Sequence, residues 1–472
     1  MLRTHPCAAA AVLAAGCLLP AQTSQNTTLL SRTDVGVTYA AVWGYTAPDY
    51  REYAILGERT ATVIYDVTDP TAPAQVGSFA APASDWREMT SYRHHVYSVS
   101  EHHSGVRVID LSNPAAPVDR GYKHTTLWAN AHSIHCDPDT GRIYVNGSSS
   151  GMHVLDAAAD PVNLPALGRW ASPYVHDCYV RRGRGYLAEV YNSRLRIVNA
   201  SNAAALTTLS QIASPQPYTH NAWVSDDDRL LLVTHEDANG YVKAYDVTNP
   251  AAPVPLANYA SPGHILHNVY GIGRTGYVAA YTDGFHMIDL STPGTSLRRI
   301  AYYDTSTVPG NNYDGVWGVY PWADSGVIYA SDISNGLYCL RVDAGHVNRY
   351  GLPTAGGSRV PRLHTEGSAV YVGASALRAR ITGLAAGAPW LLLLSPAQGT
   401  QQVLGTTVHV ALAGAMALSG TADAQGNADV PLPIPGQPGL AGARVYAQVF
   451  AADGAAPQGV SASRGHWFGI AP

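Results

Sequence analysis

Histidines and acidic residues recur along this chain at positions where they could bind a metal ion together. Four of the histidines are spaced 44, 44 and 47 residues apart, and they are His132, His176, His220 and His267. The acidic set is Glu101, Glu189, Glu236, Asp283 and Asp332. Neutral imidazole suits zinc, copper or iron, and carboxylates suit calcium or manganese. The two sets are therefore candidate ligands for a divalent metal ion or for another ligand.

Three interpretations of these residues remain open. The one we prefer is structural: each histidine hydrogen-bonds a neighbouring backbone group or an acidic side chain. The second is a ligand or metal site, in which Asp177, Asn221 and Asn268, each following its histidine, orient the rings. The third is a metal-dependent hydrolase or oxidoreductase with the four histidines as ligands. The repetition of the histidines at equivalent positions is what favours a ligand site. The sequence has no Gly-x-Ser-x-Gly elbow between a strand and a helix, the motif that would carry a serine nucleophile.

A repeated strand motif indicates the architecture that would position these residues. Short apolar strands end in Asp or Asn at intervals of 44, 46, 43, 47 and 43 residues, at Asp66, Asp110, Asp156, Asn199, Asp246 and Asp289. A degenerate seventh copy spans 337–341. A period near 45 that contains only strand and turn signals is typical of the four-stranded blades of a β-propeller.

The acidic residue that ends each strand is interpreted as a turn residue and not as a catalyst. Asp and Asn side chains accept hydrogen bonds from turn N–H groups, and the proline that often follows cannot continue a strand ladder. This structural role is assigned to Asp66, Asp110, Asp156, Asp246 and Asp289.

The repeats predict an all-β fold, a seven-bladed β-propeller over residues 22–345. The four histidines would open inner strands, and the five acidic residues would lie in turns on the same face. The seventh repeat lacks a clear fourth strand, whereas 28–32 resembles the fourth strands of the other repeats. The N-terminus is therefore expected to supply the outer strand of the last blade and so protect its edge.

The remainder of the chain differs in composition from the repeats. Residues 346–372 are rich in Gly, Ser and Arg and are interpreted as a linker. Residues 373–472 contain strand-like runs between proline-rich turns, which predict a small β-sandwich used for anchoring, sorting or assembly.

The repeats resemble the LVIVD-repeat propellers, and residues 29–345 resemble the choice-of-anchor B family of secreted proteins. The matching segments include 42–45, 85–88, 131–133, 267–270 and 314–321, the last of which (Asp-Gly-Val-Trp-Gly-Val-Tyr-Pro) is fairly specific. The resemblance implies an exported propeller followed by a variable C-terminal region. It carries no catalytic assignment.

The N-terminus and the composition bear on location and partners. Arg3 and the apolar run 8–19 predict a signal peptide over residues 1–21, with lipidation at Cys17 as the alternative. The protein is therefore expected to be a non-catalytic scaffold, secreted or at the cell surface, that binds an extracellular protein, a glycan or a metal ligand at the mouth of the channel. A formal net charge of −5 argues against nucleic acid, and no later segment is apolar enough to cross a membrane. Cys136, Cys178 and Cys339 lack zinc-site spacing and are predicted to be buried free thiols.

Overall fold

The computed structural model describes residues 23–472, which fold almost entirely as β-strands. The predicted signal peptide and Cys17 lie outside the described residues. The helical elements of the described part are three short 3₁₀ turns, Val190–Asn192, Pro438–Leu440 and Pro457–Gly459. Within residues 23–472 there is accordingly no helix that could span a bilayer.

The first two-thirds of the described chain holds 29 strands. The first fourteen are β1 (Ser24–Gln25), β2 (Thr27–Thr33), β3 (Tyr39–Thr46), β4 (Glu52–Glu58), β5 (Ala61–Asp66), β6 (Ala74–Ala80), β7 (Arg87–Tyr92), β8 (His95–Ser100), β9 (His103–Asp110), β10 (Val118–Lys123), β11 (Ser133–Asp137), β12 (Arg142–Asn146), β13 (Met152–Asp156) and β14 (Ala166–Trp170). The others are β15 (Asp177–Arg181), β16 (Arg184–Glu189), β17 (Arg194–Asn199), β18 (Thr207–Ala213), β19 (Thr219–Val224), β20 (Leu230–His235), β21 (Tyr241–Asp246), β22 (Val254–Ala260), β23 (Asn268–Ile272), β24 (Thr275–Ala279), β25 (Phe285–Asp289), β26 (Arg298–Tyr303), β27 (Val316–Tyr320), β28 (Ile328–Asp332) and β29 (Gly336–Val342).

These strands form antiparallel sheets that follow one another along the chain. Sheets 1 to 5 are β3–β6, β7–β10, β11–β14, β15–β18 and β19–β22; sheet 6 is β23–β26 with β1 at its outer edge, and sheet 7 is β27–β29 with β2. The first strand of each sheet contacts the first strand of the next, and β27 of sheet 7 contacts β3 of sheet 1. The sheets therefore close into a ring with β3, β7, β11, β15, β19, β23 and β27 innermost. This is the arrangement of a β-propeller.

The hydrophobic core of the ring lies between adjacent sheets. Val108 of sheet 2 packs with Ile143 of sheet 3, and Leu232 of sheet 5 packs with Val278 of sheet 6. Middle strands such as β4 are buried on both faces, whereas outer strands such as β6 are largely exposed. This explains why the repeated motif has a continuous apolar run and not a strict alternation.

The N-terminal strand takes the position that the sequence predicts. β2 pairs antiparallel with β29 and completes sheet 7, from Thr27 opposite Val342 to Thr33 opposite Leu337. β1 continues to the neighbouring sheet and pairs with β26. The beginning of the described chain thus pairs with sheets 6 and 7, the last two sheets of the ring. The pairing with β2 leaves no exposed edge on β29.

The repeated acidic residues make the contacts expected of turn residues. Each carboxylate accepts a hydrogen bond from a backbone N–H two or three residues later, at 2.8 to 2.9 Å. The residues are Asp66, Asp110, Asp156, Asp246 and Asp289.

The C-terminal part has its own strands and core. They are β30 (Val347–Tyr350), β31 (Arg362–Glu366), β32 (Arg378–Thr382), β33 (Pro389–Ser395), β34 (Gln398–Val403), β35 (Thr406–Val410), β36 (Met416–Thr421), β37 (Ala428–Pro431), β38 (Arg444–Ala452), β39 (Val460–Ala462) and β40 (Gly465–Gly469). One sheet has the order β30-β40-β38-β33-β36 with β39 beside β38, a second has the order β31-β32-β37, and β34 pairs with β35. Leu363 and Ile381 of the second sheet share a core with Leu392 and Val449 of the first.

The segment 346–372, interpreted from sequence as a linker, contributes two strands to this part. β30 pairs with β40 and β31 pairs with β32. Its Gly-, Ser- and Arg-rich composition shows no apolar pattern, and its pairing with β40 depends on residues more than 100 positions away. The C-terminal part also contacts the ring, because Arg464 pairs with Asp324 at 2.5 Å.

Candidate metal centre

The four repeated histidines occupy equivalent places in sheets 3 to 6. His132, His176 and His267 each immediately precede an inner strand, and His220 is the second residue of β19. The N–H groups of the first three pair with the second strand of their own sheets, at 2.8 to 2.9 Å. Because the inner strands of neighbouring sheets pack side by side around the ring axis, histidines at equivalent places on these strands come close together.

The four imidazoles and one indole form a continuous circle at this end of the channel. The ring centroids of His132 and His176 are 4.1 Å apart, and the next two pairs, to His220 and then His267, are each 4.4 Å apart. Trp317, which lies near the start of β27, is 4.4 Å from His267 and 6.5 Å from His132. We call these five residues the histidine circle.

Hydrogen bonds fix which nitrogen of two rings carries the proton. His267 donates from Nδ1 to the backbone oxygen of Trp317 at 2.5 Å, and His132 donates from Nδ1 to Glu101 at 2.6 Å. A neutral imidazole that donates from Nδ1 presents a lone pair at Nε2. This arrangement, a histidine held by a carbonyl or carboxylate on its far nitrogen, is the usual support of a metal ligand.

Three nitrogens of the circle are buried without a hydrogen-bond partner among the described residues. They are Nδ1 of His176, Nδ1 of His220 and Nε2 of His267. The exposed fractions of these three histidines are 8, 3 and 1%. A buried polar atom without a partner costs free energy, and a metal ion would relieve that cost.

Glu236 adds a carboxylate to one side of the circle. Its Oε2 lies 3.5 Å from Nε2 of His220, and its Oε1 lies 3.8 Å from Nε2 of His267. The Tyr281 hydroxyl donates to Oε1 at 2.5 Å and so fixes the carboxylate. Glu236 therefore lies in the turn that the sequence predicts, and its carboxylate meets the predicted histidines His220 and His267.

These groups form two overlapping ligand sets. One is His132, His176 and His220, the other is His220, Glu236 and His267, and within each set the potential ligand atoms lie within 4.8 Å of one another. Around a tetrahedral zinc ion with Zn–N distances of about 2.05 Å, the ligand nitrogens are about 3.4 Å apart. Ring rotations that move the ligand atoms by about 1 Å would therefore complete either set. His220 belongs to both.

The environment separates the protonation behaviour of the four rings. Burial lowers the pKa of His176 and of His267, and positive charge on the neighbouring histidines lowers both further. Burial also acts to lower the pKa of His132, but the hydrogen bond to Glu101 and the negative charges of the surrounding carboxylates together outweigh it and raise that pKa. His176 and His267 are therefore neutral at physiological pH, which is the form that binds metal ions.

Three of the five predicted acidic ligands do not reach the circle. Glu189 forms a buried ion pair with Arg196. Asp283 contacts His286 at 3.0 Å, and Asp332 accepts a hydrogen bond from Thr305 at 2.5 Å. All three lie at or soon after the end of the second strand of their sheet, as Glu101 and Glu236 do. Each side chain, however, contacts a partner outside the histidine circle.

Two of the three residues expected to orient the histidines, Asp177 and Asn221, have a different role, and the side-chain oxygen of the third, Asn268, has no hydrogen-bond partner among the described residues. Asp177 accepts hydrogen bonds from Ser133 at 3.1 Å and from the Asn221 amide at 2.7 Å, and Asn221 accepts one from the N–H of Val269 at 3.1 Å. These bonds join the inner strands of sheets 3, 4, 5 and 6. They hold the strands in register beneath the circle and do not contact its rings.

Glu88, which the repeat pattern does not single out, lies on the inner strand β7 and approaches the circle from sheet 2. Its Oε1 accepts a hydrogen bond from Nε1 of Trp317 at 3.4 Å. Burial and the charge of Asp177 raise the pKa of Glu88 to about 8. Its position two residues after Trp86, near the start of the inner strand, was the available signal, but sheet 2 has no histidine there to draw attention to it.

The titration of Glu88 predicts a pH dependence for the metal-free protein. Folded Glu88 keeps its proton up to about pH 8, whereas the unfolded side chain loses it near pH 4.5. The contribution of protonated Glu88 to the free energy of unfolding is therefore fully present below pH 4.5 and is lost as the pH rises through 8. Glu88→Gln should reduce the loss of stability between pH 5 and pH 9 by about 2 to 4 kcal/mol. Urea denaturation in EDTA at both pH values measures this.

The matched control is Glu366→Gln, which changes an exposed glutamate on β31. This variant should keep the pH dependence of the unmodified protein. Identical pH dependence in the Glu88→Gln protein would show that Glu88 is ionised in the folded state.

Comparisons with known proteins do not assign a family. No family model matches the chain, and no curated protein matches it. Among solved structures, it is similar to the β-propeller domain of Cps50 (Swd1) from Myceliophteria thermophila, with 12% identity and a TM-score of 0.49, over 66% of this chain and 99% of that one. The ring of sheets, and not this weak similarity, identifies the fold.

Proposed function

We propose that this protein is an exported seven-bladed β-propeller, related to the LVIVD-repeat and choice-of-anchor B proteins, whose channel binds a divalent transition-metal ion. The repeats with their period near 45 support the family, and the predicted signal peptide supports export to the cell surface or beyond. The C-terminal sheets with their shared core support a β-sandwich that attaches or assembles the propeller. An extracellular protein or glycan is the expected partner of the outer surface.

The observation that carries metal binding is that the four histidines and Glu236 form two overlapping ligand sets, while His176, His220 and His267 each keep a buried nitrogen without a hydrogen-bond partner among the described residues. A purely structural role would give each buried imidazole nitrogen a hydrogen-bond partner, as His135 has in the backbone oxygen of Val180 at 2.9 Å. Imidazole ligands with a single carboxylate favour zinc or copper over calcium or magnesium.

The burial of the site favours binding over catalysis. The exposed fractions of the four histidines range from 1 to 8%, so a polymeric substrate has no access to an ion among them. A catalytic metal needs an open position for water or substrate. We therefore propose a non-catalytic scaffold that a bound ion stabilises by joining neighbouring sheets, namely sheets 3, 4 and 5 through one ligand set or sheets 5 and 6 through the other.

Metal binding is tested with His220→Ala, because His220 belongs to both ligand sets. Isothermal titration of the chelator-treated protein with zinc and with copper should show binding, and His220→Ala should weaken it by about 100-fold or more. Glu101→Gln should weaken it by about tenfold, since it releases the His132 ring without removing a ligand.

The control variant is His124→Ala, which removes an imidazole just after the outer strand β10. It should bind metal like the unmodified protein. Absence of zinc and copper binding to the unmodified protein, or equal affinities of the His220 and His124 variants, would contradict the proposal.

A further inference from the structure

A cavity of about 290 Å³ lies between the ring and the C-terminal sheets. The ring side is formed by turns that follow the inner strands of sheets 1, 6 and 7, and these turns carry Tyr50, Arg274 and Trp322. Because His267 precedes β23 and Arg274 follows it, the cavity and the histidine circle lie at opposite ends of the inner strands. The five residues of β23 separate them by about 17 Å.

The cavity has an excess of positive charge. Its lining includes four arginines and one acidic residue, Asp324. Arg274 pairs with Asp227 outside the cavity at 3.0 Å, and Arg464 pairs with Asp324 at 2.5 Å. Arg349 and Arg362 have no ion pair with any residue in the range 23–472. Two guanidinium groups thus line the cavity without an ion-pair partner among the described residues.

Arg349 is placed where an unbalanced charge is costly. Burial lowers the pKa of its guanidinium. Its Nη1 donates a hydrogen bond to the backbone oxygen of Asp324 at 3.3 Å, which satisfies one donor but does not neutralise the charge. A partly buried cation of this kind is stabilised by an anion that accepts its remaining N–H groups.

Neutral histidines supply further polar groups. Burial and the charges of Arg349 and Arg362 lower the pKa of His364 to about 4. His466 is 1% exposed, and its Nδ1 has no hydrogen-bond partner in the described part of the chain. The cavity therefore has an unpartnered buried nitrogen as well as unpaired guanidinium groups.

We propose that this cavity binds a small oxyanion, a carboxylate, sulfate or phosphate group, held by Arg349 and Arg362. Guanidinium groups match such groups with paired hydrogen bonds. Tyr50 and Trp322 line the same cavity and provide aromatic surface for a sugar ring carrying the anion. The site needs both the ring and the C-terminal sheets, so it gives the C-terminal part a role in ligand binding beyond attachment.

The test is isothermal titration of the full chain with sodium sulfate, sodium phosphate, glucuronate and glucose at low ionic strength. At least one of the three anions should bind and glucose should not. Arg349→Gln and Arg362→Gln should each weaken binding by about tenfold or more. Tighter binding of glucuronate than of sulfate would assign the anion to an acidic sugar, and the reverse order would assign it to a free inorganic ion.

Two controls separate the outcomes. Arg378→Gln removes the same charge from an exposed position on β32 outside the cavity lining and should leave anion affinity unchanged. His220→Ala should also leave it unchanged, because the histidine circle lies at the other end of the channel. Arg362 is exposed, so its variant is expected to fold even if Arg349→Gln does not. Failure of all three anions to bind, or equal effects of Arg362→Gln and Arg378→Gln, would overturn the proposal.

Discussion

Replacing Leu29 and Leu30 together with aspartate is expected to lower the free energy of unfolding by about 4 kcal/mol. The two side chains point to opposite faces of β2. Leu29 packs against the core between sheets 6 and 7, and Leu30 packs against the core between sheets 7 and 1. Two carboxylates there would detach the strand that completes sheet 7 and expose the edge of β29.

Urea denaturation followed by circular dichroism measures this loss. The control is the double substitution of Val35 and Val37 with aspartate, since these valines follow β2 in the chain and are 68 and 81% exposed. That variant should be as stable as the unmodified protein to within about 0.5 kcal/mol. Equal destabilisation by both double variants would mean that β2 does not close the ring.

Replacing Arg196 with methionine is expected to cost about 3 to 5 kcal/mol, because it leaves Glu189 as an unpaired buried charge. The Glu189 side chain is fully buried, and Arg196 also donates to Thr208 at 3.2 Å. The double variant Glu189→Leu/Arg196→Met should recover most of the lost stability, since it removes both charges. Chemical denaturation of the single and double variants measures the difference.

The exposed pair of Arg51 and Asp49 is the control for this substitution. Its side chains are 42 and 55% exposed, so Arg51→Met should change stability by less than about 1 kcal/mol. The same Arg196→Met protein should bind metal with unchanged affinity, because Glu189 does not reach the histidine circle. A loss of metal affinity in this variant would show that Glu189 acts at the site after all.

The period of the strand motif could be recognised without a structure because each sheet repeats the same burial requirement. Asp66 and its counterparts are turn residues whose hydrogen bonds span two or three positions, so local sequence is sufficient to assign them. The same holds for His132, His176, His220 and His267, since equivalent positions in equivalent repeats converge when the repeats surround one axis.

Other parts of the candidate sites could not be inferred in this way. Glu189 and Glu236 follow similar strands, yet Glu189 pairs with Arg196 and Glu236 meets the histidines. The choice depends on which side chain the neighbouring strand brings within reach of each carboxylate. On β17 Arg194 lies opposite Glu189, and Arg196, two residues further along the strand, forms the ion pair. Glu88 was missed for a related reason, because its partner Trp317 lies 229 residues away.

The sequence by itself determined the repeat length, the strand-and-turn content and the positions of the histidines, because these depend on burial and turn preferences that act over a few residues. Only the tertiary structure decided which carboxylates join the histidines, how 346–372 pairs with the C-terminal sheets, and that Arg349 and Arg362 face one cavity. Those features depend on side chains brought together from distant parts of the chain, and local patterns do not encode such distances.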